Sequence, residues 1–212
     1  MNFDIFLKKI PSIINEVLPG DSAHVIMAPL ERRELMLNLK LEVVNPRIAA
    51  VMMLLYPKNS LTHLVLIIRN TYPGVHSSQI AFPGGKVEKF DVSLQQTALR
   101  ETWEEIGVVP EKINIIRSFS DVYIPPSNFL VYPFLGICSE ELIFTPEPNE
   151  VAGILEVSLN DFLNEKNVKS KVIATSYSKE TAVPVFIMAD YVVWGATAMM
   201  LSELKEVLKK VL

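Results

Sequence analysis

Between Ala98 and Val108 the chain reads ALRETWEEIGV, with Glu101, Glu104 and Glu105 close behind Arg100. On an α-helix at about 100° per residue, the three glutamates share an arc of about 100°. Their i, i+3, i+4 spacing brings three carboxylates within reach of one point. Like charges at that spacing cost a few tenths of a kcal/mol per pair on an exposed helix, roughly 0.2–0.5. A hard divalent cation turns that cost into a gain, because Mg²⁺ takes oxygen ligands and binds through carboxylates and substrate phosphates. The plain alternative is a solvated acidic face balanced by Arg100 and nearby lysines. Acids close to a helix C-terminus oppose the helix dipole, so their position has no rationale in stability.

The residues that must position this face come just before it. FPGGK places Gly84 and Gly85 together, which allows backbone geometry that other residues resist and lets a main-chain amide or carbonyl approach a metal or phosphate. Glu88 and Asp91 follow in the same loop. Ser93 with Gln96 has the S-x-x-Q form of a capping box. Gly107 suits a left-handed helix stop. The helix is therefore expected over about Leu94 to Ile106, with Leu99, Trp103 and Ile106 turned to the core.

RETWEEIGV, from Arg100 to Val108, resembles the box of the Nudix pyrophosphohydrolases: a glycine, five residues, a glutamate, seven residues, then R-E-U-x-E-E-x-G-U with U apolar. Thr102 stands at the first apolar position. The spacing from Gly85 to Arg100 is one residue longer than in the general box, so the early acid is Asp91 counted from Gly85, with Glu88 as the alternative. The longer loop is similar to that of the coenzyme A pyrophosphatase-like subgroup. FPGGKVEKFD, HSSQIAFPGG, VYIPPSNFLVYPFLG, NEVAGILEVSLNDF and VWGATAMML extend the likeness over about Arg47 to Leu201. One element departs. Where the subgroup carries S-x-x-L-R, read as coenzyme A recognition, this chain has NTYPG, with Asn70 for Ser and Pro73-Gly74 for Leu-Arg.

The resemblance implies an α/β (α+β) fold, a Nudix-type α/β/α sandwich with a mixed β-sheet. It implies Mg²⁺ or Mn²⁺ on Glu101 and Glu105, with Glu104 as a further ligand or as the base, and the Gly85 carbonyl completing the site. Arg100 is expected to pair with a box acid. Glu150, in PNEVAG, is a second candidate base. Arg69 or Lys86 is expected to replace the missing arginine contact to substrate, and His76, in the loop leading to the box, to touch ligand. Tyr123, Pro125, Pro126 and Phe129 are placed in a loop bordering substrate, and Trp194 in the core or the substrate wall. His24 and His63 have no assigned role.

The rest of the chain fits one domain over residues 1–212, with 1–45 as a helical extension packed on it. Of 212 residues half are hydrophobic, enough for one substantial core. A net charge of −4 argues against a general nucleic-acid binder. A lone Cys138 supports neither a disulfide framework nor a cysteine-rich zinc site and reads as a core thiol. The first twenty residues lack the pattern of a secretory signal, and the run from Ile48 to Tyr56 is too short to cross a membrane as a helix. A cytoplasmic protein without membrane or nucleic-acid partners is expected, with a homodimer left open.

Phe6, Ile10, Ile13, Ile14 and Val17 recur at helical spacing, with Pro11 as a kink or restart. RIAAVMMLLY and THLVLIIR read as paired strands. IAF, KINIIRSF, FLVYPFLGI and VAGILEV read as further strands, PGG as loop and SLNDFLNE as a short helix. VPVFIMADYVVW reads as a hairpin turning at Ala189-Asp190. A closing amphipathic helix carries Leu201, Leu204, Leu208 and Val211 on one side. Three functions stay in view: hydrolysis of coenzyme A or an acyl-coenzyme A to 3',5'-ADP and a phosphopantetheine, hydrolysis of ADP-ribose or a dinucleotide, and non-catalytic nucleotide binding.

Overall fold

The computed structural model of the chain describes residues 1–37, 45–70, 79–174 and 180–212. Four short helices open it: α1 (Phe3–Leu7), α2 (Ile10–Asn15), α3 (Asp21–His24) and α4 (Leu30–Leu37). The helix restarts at Ile10 with Pro11 in its first turn, where the missing N–H costs nothing. Phe3, Phe6 and Ile13 are buried, whereas Ile14 and Val17 are exposed, contrary to their place in the apolar repeat. The cause is that the repeat is split between two helices, and α2 ends at Asn15.

Strands β1 (Arg47–Lys58) and β2 (Leu61–Arg69) form a hairpin. Its turn residues Asn59 and Ser60 both have positive φ, the twist that matches a two-residue hairpin. Next come β3 (Ile80–Ala81), β4 (Gly84–Lys86), α5 (Leu94–Ile106), β5 (Asn114–Ser118), β6 (Val122–Ile124), β7 (Phe129–Ile137), β8 (Val151–Ser158) and α6 (Leu159–Leu163). The chain closes with β9 (Val168–Ile173), β10 (Thr181–Met188), β11 (Tyr191–Val193) and α7 (Gly195–Val211). The β10–β11 turn falls at Ala189-Asp190, again with positive φ at both residues. PGG is not loop: Gly84 to Lys86 pair with Val51 to Ala49 of β1. Strands β6 and β9 are additional to the sequence expectation, being short or largely exposed and so lacking an apolar run.

The eight-stranded sheet is mixed, since β1 runs parallel to β7 and antiparallel to β2 and β4. It is also forked. Leu55 to Lys58 of β1 pair with β2, but Ala49 to Val51 pair with β4. Farther along, Ile67 and Ile68 of β2 pair with β3 instead, while β8 pairs with β2 from His63 to Arg69. The fork creates an opening in the middle of the sheet.

Both faces are covered, which is why β1 reads as a continuous apolar run rather than an alternating one. On one side Ala50, Met52, Leu54 and Tyr56 pack with Val65, Ile67 and the α5 residues Ala98 and Ile106. On the other, Ala49, Met53, Leu55, Leu64 and Leu66 pack with Phe3, Phe6, Ile13 and with Leu201, Leu204 and Leu208 of α7. α7 is buried nearly all round, including Ser202, Glu203 and Lys205, so its apolar stripe understates its burial. A second sheet, β9–β10–β11, adds to the α7 side. The result is the expected α/β/α sandwich with a mixed sheet. Among the described residues no helix is long and apolar enough to cross a membrane.

Candidate functional site

α5 begins and ends as its sequence directs. The Ser93 side chain accepts from the Gln96 amide at 3.1 Å, and the Gln96 side chain accepts from the Val92 amide at 2.6 Å. Gly107 stops the helix at φ 75°, its N–H on the Trp103 carbonyl. The rotation of the helix differs from expectation. Ala98, Thr102, Glu105 and Ile106 are buried, and Trp103 is 53% exposed. Thr102 is buried because its hydroxyl donates to the Ala98 carbonyl at 2.6 Å, which satisfies the polar atom inside the helix. Trp103 is displaced from the core because Glu105 turns inward.

Glu105 is 2% exposed and enters the fork of the sheet. Its Oε2 accepts from the Gly84 N–H at 2.7 Å, and its Oε1 lies 3.7 Å from Arg69 Nη1. Burial, opposed by those contacts and reinforced by the charges of Glu101 and Glu150, pushes its carboxyl up to about 8. Glu101 is raised as well, first by burial and against the pull of Arg100. Gly85 lies against Glu101: a Cβ there would sit 2.4 Å from Glu101 Oε2. Only glycine lets the backbone come this close.

Arg100 organises the rest. It donates to Glu101 Oε1 and Glu104 Oε2, both at 2.8 Å, and to the Lys86 carbonyl at 3.1 Å. Its Nε and Nη2 each lie 2.9 Å from an oxygen of Asp91, a bidentate pair. Asp91 also accepts from the Thr97 hydroxyl and the Glu88 amide. The Arg100 hydrogen bonds hold the Asp91 carboxyl well below the usual carboxylate range. Asp91 is thus committed to Arg100 and is no free metal ligand, while Glu88 lines the cavity.

That cavity measures about 830 Å³ and lies at the mouth of the fork. Glu88, Glu101, Glu104, Glu105 and Glu150 line one part of it with Gly84, Gly85, Lys86 and Arg69. Ile124, Pro126, Phe129, Val131, Trp194, Met199 and Met200 line another. Glu150 is brought in by a loop pinned to the end of α5, with Thr145 N–H on the Ile106 carbonyl and Glu147 N–H on the Glu105 carbonyl, both 3.0 Å.

Of the residues marked in the sequence, Gly85, Arg69, Lys86 and the four acids at 101, 104, 105 and 150 meet in this cavity. Arg100 stands behind it. Tyr123 belongs to β6 and, like Pro125, is not in the cavity wall, whereas Pro126 and Phe129 are. His76 lies outside the described residues. His63 bonds locally to the Leu61 carbonyl, and His24 is buried beside Glu203. Pro29 and Arg32, wall residues from the N-terminal segment, had no sequence signal.

Among the described residues no three His, Cys, Asp or Glu groups already form a metal-holding cluster. Arg100, Arg69 and the Gly84 amide occupy the carboxylates instead. The donor set still suits a hard cation. It is all oxygen, the acids raise one another's pKa, and the Glu101 carboxylate lies against Gly85.

A family model described as the NUDIX domain matches residues 46–175. The chain is 33% identical over 167 residues to an uncharacterized Nudix hydrolase NudL of Enterobacter sp. (strain 638), covering 77% of this chain and 83% of that one. It is 31% identical over 163 residues to Nudix hydrolase 22, chloroplastic, of Arabidopsis thaliana, covering 74% of this chain. The chain spans about half the length of that plant relative, 53%. Among solved structures, a Nudix hydrolase from M. smegmatis, RenU, superposes with a TM-score of 0.55 at 17% identity, covering 79% of this chain and 88% of that one. The forked sheet, the acid-lined opening filled from α5 and these matches agree: the chain belongs to the Nudix hydrolase family.

Proposed function

We propose that this chain hydrolyses the pyrophosphate bond of a nucleoside diphosphate derivative, with coenzyme A or an acyl-coenzyme A as substrate and 3',5'-ADP and a phosphopantetheine as products. The observation that carries this reading is one cavity lined both by the carboxylates Glu101, Glu104, Glu105 and Glu150 and by apolar side chains of β6, β7 and α7. The acids serve a metal-bound diphosphate. Ile124, Phe129, Val131, Met199 and Met200 suit a thioester or pantetheine arm, or a base.

Glu101 and Glu105, with Glu104 and the Gly85 carbonyl, would hold Mg²⁺ or Mn²⁺. Such an ion neutralises charge on the phosphoryl group and makes its bound water more acidic. The chain's own groups do the positioning. The Gly84 N–H holds the Glu105 carboxylate, and Arg100, locked by Asp91, fixes Glu101 and Glu104. Arg69 and Lys86 line the acidic part of the cavity and offer positive charge to phosphate oxygens. Water attacks phosphorus, its oxygen forms the new P–O bond, and the bridging oxygen leaves with its electron pair. Glu150 is the better-placed acceptor for the proton. Among the described residues its carboxylate has no hydrogen bond or ion pair, whereas Glu104 is tied to Arg100 at 2.8 Å.

A second reading, ADP-ribose or a dinucleotide as substrate, is favoured by Pro73-Gly74 in place of the subgroup's Leu-Arg. Residues 71–78 lie outside the described residues, so the departure is one of sequence. Mass spectrometry of products distinguishes the readings. The protein is incubated with Mg²⁺ and either coenzyme A or ADP-ribose. Formation of 3',5'-ADP from coenzyme A supports the first. Cleavage of ADP-ribose alone moves the reading to the second. Tight nucleotide binding without turnover of either identifies a binding protein.

A further inference from the structure

The segment before β1 is part of the cavity. Pro29 and Arg32 both line it, and the segment is held firmly to the helix that forms another side. Glu203, fully buried on α7, accepts from the Gly20 amide at 2.9 Å and from the Ser120 hydroxyl and amide at 2.6 and 3.1 Å. His24 Nε2 lies 3.4 Å from Glu203 Oε2. These contacts join the loop before α3 to α7, whose first turns supply Ala196, Thr197, Met199 and Met200 to the same cavity.

Two adjacent arginines on α4 are used differently. Arg33 bonds back to its own segment, at the Ala28 and Ile26 carbonyls, both 2.9 Å. Arg32 turns inward and is only 5% exposed. It donates through Nη2 to the Tyr123 carbonyl. A guanidinium has five N–H donors, and among the described residues Arg32 has no carboxylate partner. It is therefore a nearly buried positive charge that lines the cavity together with Pro29, Ile124, Pro126 and Phe129 and, among the described residues, forms no ion pair. Burying a charge without a counter-ion is expensive, and a ligand anion recovers that cost on binding.

We propose that Arg32 is a specificity-determining residue that binds a phosphomonoester of the substrate, separate from the diphosphate being cut. This rests on the coenzyme A reading, because the only anionic group of that substrate beyond its diphosphate is one phosphomonoester. The planar guanidinium fork matches phosphate oxygens. The N-terminal segment thereby supplies the charge that selects among nucleoside diphosphate derivatives.

The test compares coenzyme A with dephospho-coenzyme A in steady-state kinetics, for the wild type, Arg32→Gln and Arg32→Lys. Loss of one charge-assisted phosphate contact predicts at least a tenfold fall in the ratio of kcat/KM for coenzyme A to that for dephospho-coenzyme A in Arg32→Gln. The fall should lie in KM, with partial recovery in Arg32→Lys. A purely structural role, through the Tyr123 carbonyl, would depress both substrates together and leave the ratio unchanged, which overturns the proposal. Calorimetric binding of 3',5'-ADP against AMP provides a readout that needs no turnover. A wild-type preference for 3',5'-ADP that disappears in Arg32→Gln supports the proposal even where coenzyme A is not cleaved, and then only the substrate reading fails. A preference that survives in Arg32→Gln overturns the role of Arg32 whatever the turnover.

Discussion

The Gly84 amide donates a 2.7 Å hydrogen bond to the carboxylate of Glu105, joining the glycine pair to the glutamate face inside the fork of the sheet. It is the principal neutral hydrogen bond holding a nearly fully buried acid. Glu105 keeps its proton to about pH 8 in the metal-free protein, against an ordinary value of 4.5, chiefly because burial disfavours the carboxylate. Between those values the folded protein holds a proton that the unfolded chain has released. Stability of the metal-free protein therefore falls as pH rises from about 4.5 to about 8. Thermal unfolding in EDTA across that range should show the decline. Glu105→Gln should flatten it while lowering turnover by about 10²-fold or more. Mg²⁺ should bind with release of a proton and raise the melting temperature more at pH 8 than at pH 6. A melting temperature that rises through this window in EDTA contradicts a Glu105 carboxyl raised by burial.

Arg100 and Asp91 form a unit whose purpose is orientation. Replacing Arg100 with Lys keeps the charge but loses the fork that grips Asp91 while reaching Glu101 and Glu104. Arg100→Lys and Asp91→Asn should each cost about 1–3 kcal/mol of stability and lower kcat about tenfold to a hundredfold with a smaller change in KM. The double variant should be little worse than either single one, because both remove the same interaction. Denaturant titration and steady-state kinetics on the three proteins measure this coupling, and strict additivity would show the two side chains acting independently.

The two glycines should separate stability from activity. A Cβ at Gly84 would meet the Ala50 carbonyl oxygen at 2.4 Å, and its φ of 151° already disfavours any side chain. Gly84→Ala should destabilise by about 2 kcal/mol or more. A Cβ at Gly85 would meet only the end of the Glu101 side chain. That side chain can move, so Gly85→Ala should cost less stability yet reduce turnover by displacing a carboxylate. Melting temperatures and kcat for the pair decide the matter. Equal stability losses, or an active Gly85→Ala, would contradict this division.

How much of this could be read from sequence follows local against long-range physics. The bounds of α5, its Ser93 cap and its Gly107 stop were legible because helix termini are written in adjacent residues. The two-residue turn at Ala189-Asp190 was legible for the same reason, whereas β1 runs on to Lys58, past the end of its apolar run, before turning at Asn59-Ser60. The inward rotation of Glu105 and the exposure of Trp103 were not, because they depend on the fork that β4 makes with β1. Periodicity ranks Trp above Glu for the core, and only the tertiary site reverses that order. The glutamates were found by spacing. Arg32 was not, because the sequence LERRE does not say which arginine turns inward.

The most direct test of the central claim, that the α5 carboxylates carry pyrophosphate hydrolysis, is turnover of coenzyme A by the wild type and by Glu101→Gln at saturating Mg²⁺, with circular dichroism to confirm folding. The expected result is Mg²⁺-dependent release of 3',5'-ADP by the wild type and a loss of about 10³-fold in the folded variant. A folded Glu101→Gln protein that releases product within threefold of the wild-type rate would contradict it.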